Sequence, residues 1–111
     1  MNLEELAEEI EKKGKLLVQA EQVANRMKEL KKTVLAKVQT DIEVKSSGTK
    51  LSENKLERLA LASTEYEQHI IDMCESQRLS GELEKEYDKL KNFFEATRSN
   101  MAMERARMNL V

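Results

Sequence analysis

Between Thr64 and Met108 apolar and small residues return every seven positions: Tyr66, Met73, Ser80, Tyr87, Phe94, Met101 and Met108. Seven residues is close to two helical turns, so this column forms one stripe along a long helix over about 64–108. The stretch has no Pro, and its single Gly is Gly81. A second apolar line, Ile70, Leu83 and Leu90, runs beside the first. A helix cannot cover its own stripe, so another segment of the chain, another copy or a partner must do so. Ser80 and Gly81 are small enough to admit a neighbouring helix closely, or they are a tolerated soft spot. Phe93 and Phe94 sit on adjacent faces, so at least one packs outside a simple two-helix seam.

The first part of the chain carries a matching stripe. Leu3, Leu6, Ile10, Leu17, Ala20, Ala24, Met27, Leu30, Val34 and Val38 follow three- and four-residue spacings, with Ile42 as a possible continuation. The stripe has a gap at Lys13 and Gly14, where a weak point or bend is expected, because Gly costs about 1 kcal/mol relative to Ala in a helix. Asn2 with Glu5 fits a capping box, and the predicted helix covers about 3–39. From Thr40 the period changes: Thr40, Ile42 and Val44 alternate with Asp41, Glu43 and Lys45, which suits a short extended piece or a fraying helix end. Ser46, Ser47 and Gly48 then break the pattern, giving a loop over about 40–51. Ser52 caps a short helix over about 53–61, with Leu51 and Leu56 at hydrophobic-staple spacing. Ser63 and Thr64 mark a corner, with Thr64 and Glu67 as a capping box for the long helix. An unbroken helix from residue 53 onward is the alternative.

Composition narrows the class. The chain has 111 residues, 4% aromatics, no Trp, no Pro and 36% charged residues, which describes a narrow helical seam better than a globular core. Net charge is only −2 and the apolar residues are periodic, which argues against disorder. The expected fold is all-α: a long antiparallel helical hairpin or coiled coil with a short connecting helix, one domain over 1–111, and homo-oligomeric. The opening MNLEELAEEI is acidic and lacks the apolar run of a secretion signal, no window is apolar enough to span a membrane, and one cysteine suits a reducing compartment. A cytoplasmic protein is expected.

The layout of charge says more than its sum. Residues 1–11 hold five Glu and no base; residues 12–50 hold ten bases against four acids. Residues 51–88 reverse this with four bases against ten acids, and residues 89–111 hold five bases against two acids. Alternating blocks suit antiparallel pairing or assembly, and the basic blocks could also meet phosphates.

Candidate chemistry is sparse. His69 stands near Tyr66, Asp72, Met73 and Cys74, but His69 and Asp72 alone do not make a zinc site, and Cys74 points elsewhere and reads as a small buried apolar residue. Glu82, Glu84, Glu86 and Asp88 spread over several helix faces with Lys85 and Lys89 interleaved, as on a solvated surface. The three Gly, at 14, 48 and 81, form no phosphate loop. No catalytic residue, metal site or cofactor is expected. The C-terminal piece is more informative: Arg98 and Arg105 share a face, and Met101, Met103 and Met108 add adaptable apolar surface. Tyr87, Leu90, Phe93, Phe94, Met101 and Met108 are therefore the expected interface with another copy or a partner, while Tyr66 to Ser80 is expected to pack on the chain's own first helix.

The run Ser52-Glu53, Leu56-Glu57, Ala60, Ser63-Thr64-Glu65-Tyr66, Leu83, Tyr87-Asp88-Lys89-Leu90, Phe94-Glu95-Ala96, Arg98, Met101, Glu104-Arg105 and Met108 resembles small phage-encoded helical proteins. Among named families it resembles the phage recombination mediators of the UvsY type. The likeness covers residues 52–108 and uses common helix formers. It implies a homo-oligomer that binds single-stranded DNA and works with a recombinase or a single-strand-binding protein in the host cytoplasm. It also implies nucleic-acid contacts at Lys31, Lys32, Lys37, Lys45 and Lys50 beside the loop, and oligomer or DNA contacts at Arg98 and Arg105. A pI of about 5.6 departs from what a dedicated DNA binder usually shows. The alternative is a helical protein-interaction module, such as a phage inhibitor of a host protein or an assembly adaptor, with no nucleic-acid binding.

Overall fold

A computed structural model describes residues 2–46 and 50–110. The chain is an all-α hairpin: α1 (Leu3–Lys45) and α3 (Thr64–Asn109) run antiparallel, and the short α2 (Glu53–Leu61) connects them. The break expected at Ser47 and Gly48 lies outside the described residues.

Local chemistry accounts for the helix ends. The Glu5 backbone N–H donates to Asn2 Oδ1 at 2.8 Å, which fixes the start of α1. Ser52 caps α2 by accepting from the Lys55 N–H at 3.3 Å, and both staple residues, Leu51 and Leu56, are half-buried. The corner before α3 is capped by Ser63, not by Thr64. Ser63 Oγ accepts from the Tyr66 N–H at 3.1 Å and donates to the Ala60 carbonyl at 2.7 Å, so one hydroxyl closes α2 and opens α3.

α1 follows the predicted span from Leu3 but differs from expectation at its C-terminal end. It continues through residues 40–45, where the change of period predicts a loop. A strand would place Thr40, Ile42 and Val44 on one face; instead Ile42 is half-buried one turn beyond Val38, while Val44 is 70% exposed. The Thr40 hydroxyl donates to the Ala36 carbonyl at 3.0 Å, as fits a helix. α1 passes through Gly14 without a break. Leu30 lies at the edge of the stripe and is exposed.

The chain forms two compact units. The first joins α1 up to Ala20 with α3 from Leu79 onward. Its pairing runs from Lys13 and Gly14 beside Glu86 and Tyr87 to Ala7 and Ile10 beside Phe94 and Lys91. The second holds Glu21–Arg78, with Met27 beside His69 and Ser76, and Lys37 beside Glu65. In each unit partners fall along α3 as positions rise along α1, which is the antiparallel seam. The core is thin: Leu6, Leu17, Ala24, Val38, Ala60 and Tyr66 are the buried apolar residues among those described.

The glycines separate two meanings. A Cβ at Gly14 would stand 3.3 Å from Tyr87 Cε2, so the missing side chain is what admits the ring. A Cβ at Gly81 would meet nothing within 4 Å, so Gly81 is the tolerated soft spot and not a point of close approach. Gly81→Ala should therefore stabilise the fold by about 1 kcal/mol through helix propensity alone. The midpoint of urea unfolding checks this; an unchanged or lower midpoint would contradict it.

Candidate functional site

The heptad column divides differently from expectation. Tyr66 is buried, Met73, Ser80, Tyr87 and Phe94 are half-buried, and Met101 and Met108 are exposed. The chain's own first helix thus covers the column as far as Phe94, and Tyr87 and Phe94 are largely spent inside the first unit. Tyr87 lies in the Gly14 notch with Lys91 Nζ 5.3 Å from its ring centroid, and Lys13 pairs with Glu86 at 2.7 Å alongside. Leu90 is half-buried, whereas Phe93 is 55% exposed.

Two open surfaces of the first unit bear on the expected interface. One is a groove of about 660 Å³ between α1 and α3, lined by Glu9, Lys13, Glu86, Lys89, Leu90 and Phe93. The other is the end of α3. Thr97 is its last half-buried residue, and every residue from Arg98 to Leu110 is exposed. The pairing register explains this. Ala7 and Ile10 lie beside Phe94 and Lys91, so the start of α1 at Leu3 is reached near Arg98. The residues beyond have no segment of α1 opposite them. This overhang carries Met101, Met103, Met108 and Leu110 with Arg98, Arg105 and Arg107 against Glu104.

The seven basic residues expected to contact nucleic acid are all exposed, and they divide between the units: Lys31, Lys32, Lys37, Lys45 and Lys50 in the second, Arg98 and Arg105 in the first. Lys37 is engaged by Glu65 at 2.9 Å, and that hydrogen bond, with the carboxylate's charge, raises the lysine above its ordinary pKa. The other six make no ion pair among the described residues.

The cluster around His69 is dispersed. Its Nε2 lies 2.8 Å from the Met27 carbonyl, an acceptor, so this nitrogen carries the proton and ties α3 to α1. Ser76 Oγ reinforces the same crossing by donating to Met27 Sδ at 3.3 Å. Asp72 instead accepts from Gln68 at 2.9 Å. Cys74, expected to be buried, is exposed, because it follows Met73 by one residue and so turns out of the seam. Glu75 is held below its usual range by its hydrogen bond and ion pair with Arg78, a surface contact one turn away. No group of three or more potential metal ligands occurs among the described residues, and none of their helices is long and apolar enough to cross a membrane.

Sequence spacing alone does not reveal the groove. Its signals are the Lys13-Gly14 gap in the α1 stripe and Phe93 standing one position off the α3 column, but only the pairing register brings those two features to one place. Comparison with protein-family models, curated proteins and solved structures gives no match for the chain. The likeness to recombination mediators therefore stands on its own residues alone.

Proposed function

We propose that the chain is a non-enzymatic accessory protein that binds single-stranded DNA as a homo-oligomer, in the manner of the recombination mediators that residues 52–108 resemble. One observation carries it: the end of α3, exposed from Arg98 to Leu110, combines apolar side chains with three Arg against one Glu, none ion-paired among the described residues. Apolar surface favours assembly, and repetition of Arg98 and Arg105 over several copies would give a cationic surface matched to phosphates. Lys31, Lys32, Lys45 and Lys50 add exposed cations on the second unit, without an ion pair among the described residues. A recombinase or a single-strand-binding protein is the expected further partner, and the host cytoplasm the expected setting.

Fluorescence anisotropy of a labelled single-stranded oligonucleotide tests this. Binding should weaken steeply with salt. The double variant Arg98→Ala, Arg105→Ala should weaken it further and flatten the salt slope by about 0.7 for each phosphate left without its cation. No binding at low salt would refute the proposal. The open groove with Phe93 at its edge favours a second reading, a protein-binding adaptor, which predicts capture of a defined protein and indifference to DNA.

A further inference from the structure

We propose that the α3 overhang of one copy seats in the groove of the first unit of a second copy, and that the second copy returns the contact. This deepens the homo-oligomeric part of the function proposed above and rests on it. The overhang displays Met101, Met103, Met108 and Leu110 at 40% to 89% exposure, with Arg98, Arg105 and Arg107 around them. The groove offers apolar Leu90 and Phe93, while its charged lining residues balance, Glu9 and Glu86 against Lys13 and Lys89, so the acidic complement to the overhang comes from the start of α1. Next to it the first eleven residues hold five Glu and no base, of which Glu4, Glu5 and Glu8 make no ion pair among the described residues. Apolar meets apolar, and a cationic helix meets an acidic one.

The occupant cannot be the same molecule's overhang. Phe93 and Met101 belong to one unbroken helix that runs to Asn109, and a helix rising 1.5 Å per residue carries residues 98–109 about 18 Å away without turning back. Both complementary halves are present in every copy, so a two-fold pair satisfies two overhangs and two grooves at once. In such a pair each overhang lies alongside the start of the other copy's α1.

The test is a charge exchange on the full chain, read by sedimentation equilibrium, with circular dichroism confirming helix content. Variant one is Arg98→Glu, Arg105→Glu; variant two is Glu8→Arg, Glu9→Arg. Each alone places like charges across the contact and should raise the dimer dissociation constant at least tenfold. Their equimolar mixture restores opposite charges in both directions and should recover wild-type association. Met101→Asp with Met108→Asp should abolish it, and no charge exchange should rescue it. A monomeric wild type, single variants that associate normally, or a mixture that fails to recover would each overturn the docking. Oligonucleotide anisotropy on the same samples separates the two proposals. DNA binding by a monomeric chain overturns the docking and leaves DNA binding standing. Reciprocal dimers that ignore DNA at low salt support the docking and overturn DNA binding.

Discussion

Leu6→Ala is expected to lower stability by about 3 kcal/mol, within the range of about 2–5 kcal/mol for truncating a buried leucine. Leu6 is 1% exposed and is the most fully buried large side chain among the described residues. It lies one turn into α1, where helix ends ordinarily fray, and just before the point at which α3 loses its cover. Truncation removes several buried carbons and leaves a cavity that a two-helix seam has no third layer to fill. The loss should be local as well as global. With Leu6 gone, the first turns of α1 should detach from α3, and amide protection should fall there before it falls around Tyr66. Urea unfolding followed at 222 nm gives the total, and hydrogen exchange locates it. Val44→Ala is the control: Val44 is 70% exposed, and its truncation should stay within about 0.5 kcal/mol. A Leu6 loss as small as the control's would mean that the α1 start is not anchored there.

Much of this fold is legible in the sequence for a physical reason. A seven-residue column can be satisfied only by a long helix paired along its length, so Tyr66, Met73, Tyr87 and Phe94 announce α3 before any partner is known. Caps are equally local: Ser52 needs only the Lys55 N–H three residues away. The features that sequence reading misses depend on neighbours that spacing does not name. Thr64 and Ser63 are both good caps, and the Ala60 carbonyl decides in favour of Ser63, which can serve both helices. Residues 40–45 alternate like a strand, yet Ile42 falls one turn after the buried Val38 and is half-buried on the same helical face. The column itself cannot say where its cover ends. That boundary is set by the register of α1 against α3, which leaves Phe94 beside Ala7 and Ile10 and Met101 beyond reach. The candidate site follows from this boundary, since the overhang is simply the part of the stripe that α1 is too short to meet.

The register has its own determinant, and its removal is the second large effect. Tyr87→Ala should cost about 2 kcal/mol, less than a fully buried aromatic because the ring is only half-buried. The ring occupies the notch at Gly14, where even a Cβ would approach to 3.3 Å, so the pair works as lock and recess. Sliding α1 by one heptad in either direction would set Ala7 or Glu21 against Tyr87, offering the ring a Cβ or a charge in place of the recess. The coupling can be measured by a cycle with Gly14→Leu. In the wild-type background leucine gains about 1 kcal/mol of helix propensity but drives its branch into the ring, and overpacking of about 1–3 kcal/mol should make the change unfavourable. In the Tyr87→Ala background the obstruction is gone, the same leucine fills the space left by the ring, and Gly14→Leu should become stabilising. The sign change is the decisive readout, because a glycine that merely weakened its helix would respond to leucine identically in both backgrounds.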